Sequence, residues 1–579
     1  MKKSSLKNLL KIVSPYKKGF ILVTILSAFF VLSTLALPLL FGEAVDSIVG
    51  KGLVDFKKIT NLFILAGILI LVAFVSQRLL NVINNKTTYK IVRDLRKQAF
   101  LKVQNLPLSY LDKTSSGETI SMIVSDADRV GEGLLLTFEQ LFSGILTIIS
   151  IIIIMLVKEI SSTGIPYITI LVLLLTPISI FIAQFVSKKS FNNFKARAEV
   201  NSKQIAFINE HVTNEKVIKI FSQEQNSLNK FKELNEQNRK ISLKAIFFSS
   251  TVNPTTRFVY NVIYALICLV GGFLILGGAG LTIGGLFVYL SYANQYTKPF
   301  NEISSVMAEL QNSLASADRI TNLCNMANEQ DGQVKVDRLS GQIEFNDVSF
   351  SYTPTKKLIQ NLSLKVEKGQ NVAIVGPTGC GKTTLINLLV KFYSANSGQI
   401  FYDKDFIENI TKSSLRHNIG MVLQDCYIFT GSVKDNVKLG KPDATDEEVI
   451  NACKNSYADT FIERLPNGYD TIISENSGLS QGQKQLLSIA RIMLLSPPIL
   501  ILDEATSSID FRTEKRIQEG IAKLSKGKTT FTVAHRLATI VNADTILVMK
   551  DGDVVEQGTH LQLLQRNGFY ANIYNSQFE

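Results

Sequence analysis

Cysteine is scarce, and its few positions carry no framework. The five cysteines of this 579-residue chain (Cys268, Cys324, Cys380, Cys426 and Cys453) show no metal-ligand spacing. They also fit no secreted disulfide scaffold, so reduced thiols facing cytosol or lipid are expected. Charge is low too, with Asp, Glu, Lys and Arg at 19% of residues against 46% apolar. No cleavable leader is expected: the first apolar run has no small-residue cleavage site and is long enough to stay in a membrane. The net charge of +12 would suit nucleic acid. In the first half, however, the basic residues stand between apolar runs, which is the positive-inside pattern of a membrane protein, and no nucleic-acid partner is expected.

What is present divides the chain in two. At this length two or more domains are the starting expectation. The predicted division is a membrane domain over 1–310, a linker over 311–340 and a soluble α/β domain over 341–579. Six apolar segments fall near the roughly 20 residues needed to cross a bilayer. They are Phe20–Leu40, Ile59–Leu80, Leu136–Val157, Ile165–Phe185, Val259–Leu276 and Leu281–Tyr296, the last two weakened by Asn261, Asn294 and Gln295. The first, third and fifth links are short. The second and fourth are long, charged and helix-patterned, and they place Lys86, Lys90, Arg93, Arg96, Lys97, Lys188, Lys189, Lys195 and Arg197 beside the membrane ends. That bias puts both long links and the N-terminus in the cytoplasm, as two helical hairpins.

Polar residues within the spans are candidates for a transport path: Glu139, Gln140, Arg257, Asn261, Asn294 and Gln295. Such groups face a bundle interior or water because a charge in hydrocarbon is costly. Glu139 and Arg257 have a plainer alternative, snorkelling at the interface. Tyr260, Tyr264, Phe287, Tyr289 and Tyr292 read either as the lining of a greasy cavity or as ordinary packing.

The second half is organised around Val372-Ala-Ile-Val375, a buried strand, followed by Gly376, Pro377, Thr378, Gly379, Cys380, Gly381, Lys382 and Thr383, then a helical run from Thr384. This is the complete G-x-x-x-x-G-K-[ST] pattern in its strand–loop–helix setting. Glycines let successive backbone N–H groups turn toward one anion, and the helix adds its N-terminal donors. The pattern predicts a nucleoside triphosphate, with Lys382 on the β/γ-phosphates and the Thr383 hydroxyl on Mg²⁺. Cys380, beside Lys382 at a helix start, predicts sensitivity to thiol reagents; the alternative is an inert small residue.

Other strand ends carry matching chemistry. Tyr352 could stack on a nucleobase. Ile419–Asp425 reads as a strand ending in Gln424, whose amide could reach a metal or a water. Pro497–Glu504 reads as a continuous apolar strand ending in two carboxylates, Asp503 to hold Mg²⁺ and Glu504 to polarise the attacking water. Thr529–Val533 delivers His535 to the ligand edge.

Leu479-Ser-Gln-Gly-Gln483, followed by a helix, resembles the signature loop of the ATP-binding cassette (ABC) family. The resemblance covers nearly the whole chain. It implies a B-type exporter half-transporter: a six-helix all-α membrane domain fused to an α/β nucleotide-binding domain with a helical subdomain. The implied activity is ATP-driven export of amphipathic compounds (drugs, lipids or small peptides), in a bacterial plasma membrane with the cassette cytoplasmic. In that family two chains swap helices and sandwich two ATP molecules. The resemblance makes Tyr352 the adenine-stacking residue, Gly376–Thr384 the phosphate loop, Gln424 the coupling residue and His535 the γ-phosphate switch. Ser480, Gly482 and Gln483 would touch the partner's γ-phosphate. Ser507–Asp510 resembles the loop between the two sites, and turns near Ser115–Ser125 and Phe207–Ile218 resemble the coupling helices. Gln481 stands where the signature has its first glycine, and the segment Ile472–Gly478 is about one residue short. The signature form is most similar to the catalytically complete half of heterodimeric multidrug exporters, so a second, different half-transporter is the favoured partner and a homodimer the alternative. The competing function is a cassette ATPase that gates a channel or regulates a membrane partner.

Overall fold

The computed structural model describes residues 3–48, 54–353, 358–423, 426–475, 477–503, 509–533 and 540–578. The chain forms two units, one of residues 1–104 with 116–326, the other of 105–115 with 327–579.

The first unit is helical throughout. Its long helices are α1 (Lys17–Asp46), α2 (Phe56–Gln104), α3 (Phe142–Thr163), α4 (Tyr167–Thr213), α5 (Glu224–Leu276) and α6 (Ile283–Asn325). The 49 residues of α2 extend roughly 75 Å at helical rise, well over twice the hydrocarbon thickness. Helices of this length must run on past a bilayer, as the charged links predicted. Among the described residues, three helical stretches (Ser5–Asp46, Phe56–Gln104 and Ser116–Thr163) are long and apolar enough to cross a membrane, with shorter apolar stretches at Tyr167–Pro177 and Tyr260–Leu276. α6 runs to Asn325 without a break, past residue 310 where the sequence reading ends the membrane domain.

The core of this unit gathers Val31, Leu35, Ile151, Met155, Ile168, Val172, Tyr289 and Tyr292. Tyr289 and Tyr292 are fully buried, and the Tyr292 hydroxyl donates to the Leu35 carbonyl at 2.7 Å. These two tyrosines are packing residues, while Tyr264 and Phe287 stay exposed. Glu139 and Gln140 sit in a π-helical turn, Thr137–Leu141, that leads into α3. Glu139, Arg257, Asn261 and Asn294 are exposed on this chain.

Two carboxylates unremarked in the sequence tie the helix ends together. Glu159, fully buried, accepts from the Ile168 and Thr169 N–H groups at 2.6 and 2.9 Å and from the Thr169 hydroxyl at 2.6 Å. Asp46 accepts from the Gly284 N–H and the Thr282 hydroxyl, both at 2.7 Å. Each satisfies donors that a helix start leaves unpaired, and each meets the positive end of a helix dipole.

The second unit is built on two large sheets, with a two-stranded ribbon of Gly431–Ser432 and Ile472–Ile473 beside them among the described residues. The antiparallel one runs β2-β1-β4-β5, from β1 (Ile343–Phe350), β2 (Ile359–Val366), β4 (Ser397–Tyr402) and β5 (Asp405–Phe406). The six-stranded sheet contains β3 (Asn371–Val375), β6 (Ile419–Val422), β7 (Ile499–Asp503), β8 (Thr529–Val533), β9 (Thr545–Lys550) and β10 (Asp553–Gly558), in the order β10-β9-β3-β8-β7-β6. All its pairings are parallel except β9 with β10. Parallel strands covered on both faces read as continuous apolar runs, which is how Val372–Val375 and Ile499–Leu502 are written; Thr529–Val533 is as buried but threonine-rich, a β-branched strand. Helix α7 (Lys382–Leu389) packs with β1, β2 and β3 in one core. A second core joins Val422, Leu500 and Leu502 to helices α8 (Gln481–Leu495) and α9 (Phe511–Ser525).

The segment 105–115 belongs to this unit. The Glu329 N–H donates to the Asn105 carbonyl at 2.9 Å, and the Tyr393 hydroxyl donates to the Asp112 carboxylate. It lies just ahead of the Ser115–Ser125 turn anticipated from the sequence, whose Ser116–Ser121 helix groups with the helical unit. The second hairpin turns over Asn214–Gln223, through a short helix Glu215–Ile220.

Candidate nucleotide-binding site

Strand register sets the geometry. Val533 pairs with Ile374 on one side and Asp503 on the other, and Leu502 pairs with Val422. The ends of β3, β8, β7 and β6 therefore reach one edge together, where ligands bind in parallel α/β sheets. The phosphate loop leaves β3 at Gly376, and Asp503 closes β7. Gln424, Glu504 and His535 follow within two residues of the same edge in sequence; all three lie outside the described residues, as does Ser507.

The loop needs its glycines. Gly379 and Gly381 have φ of +83° and +108°, a left-handed region costly for any other residue. A Cβ on Gly376 would come within 2.3 Å of the Met549 carbonyl oxygen and 2.7 Å of the Cys380 sulfur. Lys382 Nζ donates to the carbonyls of Gly376 and Pro377 at 2.7 and 3.0 Å. No carboxylate among the described residues is paired with this ammonium, so the residues fit a polyphosphate. Pro377, Thr378 and Thr383 are exposed, and Thr384 is buried behind them.

Cys380 is only 3% exposed, its sulfur 3.9 Å from Lys382 Nζ. Burial selects the inert alternative for this thiol. A bulky maleimide is expected to inhibit ATP hydrolysis equally in wild type and Cys380→Ser. Inhibition confined to wild type, and relieved by MgATP, would overturn that expectation.

The signature loop is a helix N-cap. The Ser480 hydroxyl accepts from the Gln483 N–H at 3.3 Å, and the Gln483 side chain accepts from the Ser480 N–H at 2.9 Å. The hydroxyl accepts in this cap, so its proton stays available to a phosphate oxygen. Gly482 has a packing reason: a Cβ there would lie 2.5 Å from the Thr513 methyl on α9. Gln481 is exposed, with room for its side chain.

Several residues that spacing does not reveal hold the site. Glu475, in the shortened segment, accepts from the Ile428 N–H at 3.1 Å and pairs with Lys484 of α8. The hydrogen bonds from Lys484 and then from Ile428 hold its carboxyl below the usual range. Arg491, on the same helix, donates to the Asn436 carbonyl at 2.7 Å, the Asn436 side chain at 2.8 Å and the Tyr427 carbonyl at 2.9 Å. Both therefore bind the signature helix to the loop beyond Gln424. Tyr352, two residues past the end of β1, lies beside Phe350 and Tyr393, with its hydroxyl held by Asn387. Burial, then the Asp112 carboxylate, push the Tyr393 hydroxyl up, so it remains a donor at neutral pH.

A family model described as ABC transporter transmembrane region matches residues 20–300, and one described as ABC transporter matches residues 359–507. The chain is 35% identical, over all of its own length and 95% of the relative, to YfiC of Bacillus subtilis, an ABC transporter ATP-binding protein. It is 37% identical over 90% of its length, and 82% of the relative, to a fatty acid ABC transporter ATP-binding/permease protein of Mycobacterium bovis. Among solved structures, a bacterial Atm1-family ABC exporter with ATP bound superposes with a TM-score of 0.79 at 26% identity, covering 98% of this chain and 99% of that one.

Proposed function

The chain belongs to the ABC transporter family, and on that premise we propose that it is one half of an ATP-driven exporter of amphipathic compounds. The observation that supports this most is the convergence of the phosphate loop and Asp503 on one sheet edge, in a chain whose other unit is a set of membrane-length helices. In this reading the loop N–H groups and Lys382 bind the β/γ-phosphates, and Tyr352 stacks on the base. Thr383 and Asp503 are the residues that would hold Mg²⁺, which neutralises phosphate charge when bound. Glu504 polarises the attacking water, His535 contacts the γ-phosphate, and Gln424 links the site to the helical unit.

The site is half of a pair. Ser480, Gly482 and Gln483 serve the phosphate loop of a second half-transporter, whose own signature loop completes this one. A different chain is the favoured partner. ATP then acts by binding the closed arrangement more tightly than the open one, since only differential affinity moves such an equilibrium. The name of the mycobacterial relative makes acyl amphiphiles the first cargo to test.

Inside-out vesicles carrying the protein with its partner are expected to accumulate a fluorescent amphiphile only with hydrolysable ATP. Robust ATPase without accumulation of any amphiphile would favour the gating function instead. A stable, fully stimulated dimer of this chain alone would remove the heterodimer and leave export intact.

A further inference from the structure

We propose that Asn387, Tyr393 and Asp112 are positioning residues that hold the Tyr352 ring as a preformed platform for the nucleobase. This rests on the reading of Tyr352 as the base-stacking residue. It adds that base affinity depends on the segment 105–115 as well as on the nucleotide loop.

Tyr352 is 38% exposed and so keeps surface available for a ligand. Its ring is edge-on to Phe350 at 5.0 Å and 87°, and edge-on to Tyr393 at 4.9 Å and 87°. Phe350 and Tyr393 meet each other at 5.6 Å. Three mutually tilted rings fix one another's orientation, because each directs a positive edge at a negative face. Phe350 is buried in the β1 core, so one ring of the three is anchored by the sheet.

The other two are held through their hydroxyls. Asn387 Nδ2 donates to the Tyr352 hydroxyl at 3.0 Å. Asn387 lies on α7, whose first residue is Lys382, so one rigid helix carries both the phosphate lysine and the pin on the base platform. Its backbone carbonyl also accepts from the Phe392 N–H at 2.9 Å, which shapes the turn that delivers Tyr393. The Tyr393 hydroxyl donates to Asp112, on the segment that sequence places between the first two hairpin helices. A half-exposed aromatic past a strand end would otherwise lose rotamer freedom when a base binds. Pre-paying that loss is how such pins raise affinity.

The test is steady-state hydrolysis by the full transporter, with competition by inorganic tripolyphosphate, which has phosphates and no base. Asn387→Leu is expected to raise KM for ATP about three- to tenfold, the scale of one lost pin and a loosened aromatic pair. kcat is expected to stay within about twofold and tripolyphosphate inhibition unchanged, as a base-only contact requires. Tyr393→Phe, which removes one oxygen, is expected to raise KM about two- to fivefold with the same split. It keeps the question open to measurement if Asn387→Leu fails to fold. An unchanged KM in Tyr393→Phe would overturn the proposal, and so would equal weakening of ATP and tripolyphosphate. Tyr352→Ala separates the underlying reading: if it leaves KM for ATP unaltered, Tyr352 is no platform. If Tyr352→Ala raises KM and Tyr393→Phe does not, the platform stands and the pins do not.

Discussion

Replacing Glu504 with glutamine is expected to leave ATP binding intact and to lower steady-state ATPase by about 10²–10⁴-fold, the worth of a lost general base. The position carries the expectation. Asp503 is the last residue of β7 and stands in register with Val533 and, through it, with Ile374 beside the phosphate loop. Glu504 is the next residue in sequence after that strand end. Glutamine keeps the shape and the hydrogen-bonding ends while removing the carboxylate proposed to polarise water. Lys382, Thr383 and Asp503 are untouched, so nucleotide affinity is retained and the closed pair of cassettes accumulates. The measurement is phosphate release alongside binding of a fluorescent ATP analogue. Turnover within about threefold of wild type, far short of a general base's share, would sink the assignment.

The second large effect belongs to the helical unit and concerns its stability. The Asp126 side chain is 3% exposed and accepts from Arg319 Nε at 2.7 Å and from the Ser316 hydroxyl at 3.0 Å, with Arg129 at 3.9 Å. Arg319 itself is 49% exposed. The two partners are therefore unequal. Arg319→Met strands a buried carboxylate, and such breaks cost about 3 kcal/mol or more. Asp126→Asn strands only a half-hydrated guanidinium, which recovers water, and is expected to cost about 1–2 kcal/mol. Thermal midpoints in detergent at pH 7 should fall further for Arg319→Met than for Asp126→Asn; equal midpoints would refute the asymmetry.

The same pair has a pH signature. Burial raises the Asp126 carboxyl, but hydrogen bonds from Arg319 and Ser316 outweigh it and hold the group below its ordinary value. A carboxyl depressed in the fold contributes stability that is present above its unfolded pKa of about 3.9 and lost as pH falls through the folded one. Without Arg319 the largest of the contacts that hold the carboxyl down is gone, so this contribution shrinks in the variant. The gap between wild type and Arg319→Met should accordingly be full above about pH 5 and narrow as pH is lowered from there toward about 3. A gap that stays constant over that range would mean the ion pair is not its source.

How legible each feature was follows from what made it. The phosphate loop, the strand ends and the signature are local: their function needs a glycine at a left-handed φ, or an apolar run stopping at a carboxylate, and either is written in consecutive residues. Length and hydropathy likewise announced helices that outrun a bilayer. The nature of Tyr289 and Tyr292 was left open between cavity and packing, because an aromatic's neighbours come from other helices. Their full burial against Leu35 and Ile151 decided it for packing. Cys380 had a favourable address for reactivity, and only its burial showed that the address is closed.

The residues no pattern disclosed all act between elements. Glu159 caps α4, the next helix along the chain, and Asp46 caps the distant α6, each by reaching the first N–H groups of another helix. Arg491 and Glu475 hold the signature helix to the loop beyond Gln424, and Asn387 holds Tyr352. The sequence by itself determined the class of chemistry: an ATP-binding domain of the ABC type joined to membrane-length helices. Tertiary structure alone decided which polar groups are occupied by structural duty, which thiol is shielded, and that 105–115 packs with the cassette. The physical reason is range. Backbone conformation and hydrophobic period are set by near neighbours, whereas the partner of a buried carboxylate, guanidinium or amide is chosen by whichever element the fold brings against it.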